Sequence, residues 1–145
     1  AAVEKAAALA KEKGARRCLS LKVSGPFHTP LMAPAGEALR EYFRGVDFGN
    51  PSIPVIFNCL GDVKNAGTSI QDLLVRQVQS SVHMEDSIRK MAEMGVDAIV
   101  EIGPGKALSG FVKKTVPGMP VCAVETVADV EALPETLEQL MKEKA

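Results

Sequence analysis

Apolar residues recur at helical spacing from the first positions of the chain. Val3, Ala6, Ala7 and Ala10 share one face, and Gly14 stands where a helix end favours glycine. From residue 17 to 23 the period changes to two, with Leu19, Leu21 and Val23 on one side, which predicts a strand. A stiff stretch, SGPFHTPLM from Ser24 to Met32, then interrupts the pattern with a glycine and two prolines. Helical spacing resumes through Ala35, Ala38, Leu39, Tyr42, Phe43 and Val46, with Pro34 in the first turn.

The second half alternates between short apolar runs and amphipathic segments. Residues 54–58 (PVIFN) predict a buried strand, and the polar GDVKNAGTS after it predicts a loop. Ser69 with Asp72 forms a capping-box pattern. The helix it opens carries Ile70, Leu73, Leu74 and Val78 on one face, together with the polar Gln77. A second helix places Ile88, Met91 and Ala92 inward and ends at Gly95. Residues 97–102 (DAIVEI) predict a strand, GPGK a turn, and Leu108, Phe111, Val112 and Val116 a helix. Residues 121–124 predict another strand, and a last helix starting near Pro134 carries Leu137, Leu140 and Met141. Short apolar strands separated by helices predict an α/β fold with a parallel sheet covered on both faces. The loop after the first strand breaks this rhythm, which allows that strand a different sheet.

Composition narrows the function. At 145 residues the chain suits one domain, and its 46% hydrophobic content supports a core. A net charge of -1 gives no electrostatic case for nucleic acid or an anionic membrane. With no tryptophan and one tyrosine, no aromatic base-stacking platform is expected. Cys18, Cys59 and Cys122 are scattered, which supports neither a zinc site nor a disulfide framework and fits a reducing, cytoplasmic setting. No apolar run approaches the roughly 18 residues of a membrane helix. The helical pattern starts at Ala1 with no methionine before it, which suggests a piece of a longer protein.

Few residues offer chemistry. His28 sits on the stiff loop just after a predicted strand, where sites of α/β sheets form. The residues alone leave open whether it is a base, a ligand or a bystander, and a lone histidine is more often structural. His83, near a helix start, reads as structural. Gln77 is a polar group on an apolar face, either satisfied within the core or lying against a site. EIGPGKAL (101–108) resembles a phosphate loop, but Val100 and Ala107 break the Walker pattern and Leu108 the dinucleotide one, so a tight turn fits better. Ser69 lacks the strand and second glycine of a nucleophile elbow and reads as a cap, and Cys59 reads as a packing residue. The chain thus offers a base without a nucleophile.

Two longer segments carry a resemblance. VSGPFHTPLMAPAGEALREYF (23–43) and LLVRQVQSSVHMEDSIRKMAEMGVDAIVEIGPGKALSGFVKK (73–114) resemble, in order and spacing, the bacterial malonyl-CoA:acyl carrier protein transacylases. GPFH, a downstream RQ and EIGPG together make a specific signature covering essentially the whole chain. The resemblance implies a ping-pong transfer of malonyl from coenzyme A, through an acyl-serine, to the phosphopantetheine thiol of the carrier protein. It implies that His28 is the general base and that the backbone carbonyl of Gln77 orients it. Phe27 is implied to favour malonyl over branched acyl groups. The family serine, the oxyanion donors and the arginine that clamps the malonyl carboxylate all precede the part that matches.

The resemblance further implies that residues 1–24 end a small ferredoxin-like subdomain. Residues 25–145 correspond to the C-terminal part of a larger, hydrolase-like α/β subdomain with a parallel-sheet core. The implied partners are malonyl-CoA, acyl carrier protein and the missing N-terminal half of the same enzyme, with no metal or cofactor. Arg76, Lys113 and Lys114 are basic residues available to an acidic carrier protein. Ser81 departs from the proline common at that place in the family. A non-catalytic module that kept the fold, the acyltransferase domain of a polyketide synthase, and a nucleotide-binding domain using Gly103 to Lys106 are the other readings.

Overall fold

A computed structural model describes residues 2–144. Helix α1 (Ala2–Glu12) has an acidic first turn, a basic last turn and no buried residue, and Gly14 at φ +93° ends it. The predicted strand over 17–23 is absent: the segment is irregular and joins no sheet among the described residues, and Leu19, Leu21 and Val23 stand 68%, 78% and 74% exposed. Alternation supplies only a strand's side chains. Its hydrogen bonds need a neighbouring edge, and none of the described residues provides one.

A short 3-10 helix (Pro30–Met32) leads into α2 (Ala33–Phe43), with Pro34 in the first turn as predicted. Helix α2 packs antiparallel on α3 (Ile70–Gln79): Arg40 reaches Asp72 at 3.0 Å, and Gly36 faces Val75 and Gln79. A β-carbon at Gly36 would lie 2.6 Å from Gln79 Nε2, so glycine sets how closely the helices approach. Gln71 Nε2 donates to Phe43 O and Val46 O and closes the far end of α2. Ser69 caps α3, accepting from Asp72 N at 3.0 Å and donating to Asp72 Oδ2 at 2.6 Å.

Between these helices in the chain comes a two-stranded antiparallel sheet, β1 (Ile56–Phe57) with β2 (Asp62–Val63). The strand predicted over 54–58 is therefore shorter, and the predicted polar loop contains β2. Gly61, at φ +71°, makes the turn; a β-carbon there would lie 2.6 Å from that of Asp86. Phe57, Cys59 and Leu73 form one core with Leu60 and Ile70.

The second core gathers Ile88, Val112 and Val121. Ile88 comes from α4 (Met84–Glu93) and Val112 from α5 (Ala107–Thr115). Strands β3 (Ile99–Ile102) and β4 (Val121–Val124) pair in parallel, Ile99 opposite Val121 and Ile102 opposite Val124, with α5 as the crossover. The predicted single parallel sheet is thus two separate two-stranded sheets, only one of them parallel. The fold is α/β, with the outer end of β3 open: Ile102 is 84% exposed.

The last helix, α6 (Val127–Lys144), begins well before Pro134. Asp129 accepts from the N–H groups of Glu125 and Thr126, and Thr126 Oγ1 accepts from Asp129 N, a reciprocal cap that fixes the start. Pro134 lies inside the helix on an exposed face, where water can serve the carbonyl left without its donor.

Candidate functional site

The C-terminal turn of α3 explains the loop at His28. A helix leaves its last four carbonyls without intrahelical donors. Helix α3 stops at Gln79, and Ser80 turns away in extended conformation (φ -124°, ψ 155°). Two of the orphaned carbonyls are filled from a distant part of the chain by one residue. The backbone N–H of His28 donates to Val78 O at 3.0 Å, and His28 Nδ1 lies 2.9 Å from Gln77 O. A carbonyl only accepts, so Nδ1 carries the proton and Nε2 is left as the basic nitrogen.

Holding both contacts requires an uncommon backbone. His28 has φ +60°, alone among the described non-glycine residues in lying at positive φ. That region costs a side chain on the order of 1 kcal/mol or more. Phe27, 53% exposed, folds its ring over Gly25, where an added β-carbon would stand 3.2 Å from Phe27 Cε2. The sequence GPFH therefore reads as room for the ring, followed by a bend that aims the imidazole. His28 itself is exposed, so Nε2 is accessible to a group arriving from outside the chain.

The other sequence candidates lie elsewhere. Ser69 sits at the opposite end of α3 from the Gln77 carbonyl, about 12 Å along the axis, and its hydroxyl is spent on the cap. Cys59 is 1% exposed, with Sγ 3.6 Å from Leu73 O. His83 opens α4, with its N–H on Asn58 O at 2.7 Å and Nδ1 3.3 Å from Asp86 Oδ2. Arg76, Lys113 and Lys114 are exposed. Among the described residues no group of three or more His, Cys, Asp or Glu could hold a metal ion, and no helix is long and apolar enough to cross a membrane.

The glycine turn of residues 101–108 is already filled by an anion from the chain. Glu101 accepts from Ser109 Oγ at 2.6 Å, Ser109 N at 2.7 Å and Leu108 N at 3.1 Å. Its carboxylate occupies the start of α5, where a phosphate would otherwise bind. This counts against the nucleotide-binding reading. The hydroxyl and N–H of Ser109, then the N–H of Leu108, hold the Glu101 carboxyl below its ordinary value of 4.5. A carboxylate held low stabilises the fold above its unfolded pKa and loses that contribution as pH falls through the folded one. Thermal melts on acidification below about pH 4.5 are therefore expected to fall more steeply for the native chain than for Glu101→Gln, which melts lower at neutral pH. Parallel acid limbs would show that the contact carries no net stability.

With this geometry in view, the relatives are specific. Over 137 residues the chain is 43% identical to the malonyl CoA-acyl carrier protein transacylase of Bacillus subtilis, covering 94% of this chain and 43% of that one. The chain belongs to the malonyl CoA-acyl carrier protein transacylase family. The crystal structure of the transacylase from Clostridium perfringens superposes with a TM-score of 0.86 at 38% identity, covering 96% of this chain and 44% of that one. A malonyl-transacylase solved in complex with a type II PKS acyl carrier protein superposes at 0.83 with 36% identity, covering 92% and 43%. No protein-family model matches. The chain thus spans less than half the length of the transacylases it matches.

Proposed function

We propose that this chain supplies the histidine-bearing part of a malonyl-CoA:acyl carrier protein transacylase. The contact between His28 Nδ1 and the Gln77 carbonyl carries the reading, because it fixes the tautomer a general base needs. In this reading a serine on the part of the enzyme outside this chain is the nucleophile. Nε2 of His28 takes the hydroxyl proton as the serine oxygen attacks the thioester carbonyl of malonyl-CoA. The tetrahedral intermediate collapses, the carbon–sulfur bond breaks, and the imidazolium returns the proton to the leaving coenzyme A thiolate. The phosphopantetheine thiol of the carrier protein then gives up its proton to Nε2 and attacks the malonyl ester; the carbon–oxygen bond to serine breaks, and the imidazolium returns the proton to the serine oxygen. The carbonyl of Gln77 plays the orienting part that a buried aspartate plays in hydrolase triads. Phe27 forms part of the wall that selects malonyl.

The same reading assigns residues 1–24 to the end of a ferredoxin-like subdomain and residues 25–145 to the larger subdomain. It also accounts for the alternating segment over 17–23, which joins no sheet among the described residues and whose sheet partners then lie in the remaining part. Intact mass measurement tests the proposal. The chain is mixed with malonyl-CoA, alone and with the complementary part of a relative. A malonyl adduct is expected on the complementary part, discharged by carrier protein. An adduct on the isolated chain would place the nucleophile here and overturn the assignment. No adduct from a folded, associated pair would leave a non-catalytic module.

A further inference from the structure

The hydroxyl of Thr29 bonds on both sides of His28. It donates to Pro26 O at 2.8 Å and accepts from Leu31 N at 3.3 Å, as the cap of the 3-10 helix. Together the two bonds tie residues 26 to 31 around a histidine at φ +60°. A side chain stays in the left-handed region only where its surroundings over-determine it, and such strain gathers at functional sites. Here the consequence is visible. In this conformation one residue offers both its N–H and its imidazole to successive carbonyls, Val78 and Gln77, of the same helix end.

We infer that Thr29 is a positioning residue for His28: its hydroxyl holds the left-handed bend that fixes the Nδ1–H tautomer and presents Nε2. This rests on the reading of His28 as the base of the transfer and adds a residue acting through it. A cap that served only the 3-10 helix would leave the imidazole indifferent to the hydroxyl. Thr29→Val keeps the shape and removes the hydroxyl, whereas Thr29→Ser keeps it.

The test is nitrogen-15 NMR of the imidazoles in the labelled 145-residue chain, associated with the unlabelled complementary part of a relative, at a pH above the ordinary histidine range. His28 is assigned by the loss of its signals in His28→Asn, and His83 serves as internal reference. The native chain and Thr29→Ser are expected to show the Nδ1–H tautomer at His28. In Thr29→Val its excess over the other tautomer is expected to fall roughly fivefold, with His83 unchanged. An unchanged tautomer in Thr29→Val overturns the inference. So does a serine variant that behaves like valine, or a valine variant that unfolds outright, since the hydroxyl would then serve the fold and not the histidine. A tautomer response in a chain that supports no malonyl transfer with its complementary part sinks the assigned reaction and leaves the coupling of Thr29 to His28 standing.

Discussion

Replacing His28 by alanine in the reassembled enzyme is expected to lower malonyl transfer by about 10²–10⁴. The loss is expected to fall on kcat, because Nε2 acts on the proton in flight. Acyl-enzyme formation and discharge both slow, since the same nitrogen serves both half-reactions. Alanine at φ +60° carries a backbone cost of its own, so His28→Asn is the paired variant. Asparagine tolerates the left-handed region and keeps the N–H that bonds Val78 O, while lacking a basic nitrogen. Both variants losing transfer equally, with unchanged melting, assigns the loss to the base. Transfer within threefold of the native rate in either variant would remove His28 from the chemistry.

The alternation of helix and strand was legible because periodicity is local. Residues 121–124 were read as a strand and are one, and the helices at 2–12, 33–43, 70–79 and 107–115 follow their apolar spacing. The misreadings are of two kinds. Residues 17–23 alternate like a strand, but pairing is a property of two segments, and the second is absent among the described residues. The single parallel sheet failed for the same reason, since no periodicity says that β1 finds β2 and not β3. The start of α6 was misplaced because proline favours the first helical turn, and Pro134 drew the boundary to itself. The competing signal, Thr126 with Asp129 three residues on, was present and carries the reciprocal cap.

The site divides in the same way. A histidine fixed between a glycine and two prolines stands out in a sequence, and the left-handed bend accounts for that composition. From the residues alone Gln77 stands out by its amide side chain; the resemblance implies its backbone carbonyl, and that carbonyl is what meets His28. Any residue type offers that carbonyl. What makes this one available is the helix ending at Gln79, so the sequence signal was the position of a helix end and not the glutamine. Thr29 carries no signal in the sequence, because a threonine before a proline reads as an ordinary turn residue. Its two bonds matter only once the conformation of the neighbouring histidine is known.

Mixing the chain with the complementary part of a relative is expected to convert a self-associating protein into a discrete one-to-one complex. The surface gives the reason. The chain exposes 10681 Å², whereas a compact monomer of 15.4 kDa exposes about 7,200 Å². The excess of about 3,500 Å² is of the order that large permanent interfaces bury. Large apolar side chains stand exposed where elements lack neighbours: Leu19, Leu21 and Val23 on the segment that joins no sheet, Ile102 at the open end of β3, and Val3 and Leu9 on α1. Patches of this kind associate with whatever covers them. Alone, the chain is expected to run as broad oligomers in size exclusion with light scattering. With its complement it should give a single heterodimer whose melting midpoint rises with partner concentration, since a partner at a hundredfold its Kd adds about 2.7 kcal/mol. A sharp monomer peak with cooperative unfolding, unchanged by the complement, would show that the exposed faces are stable in water and would remove the surface argument for a covering half.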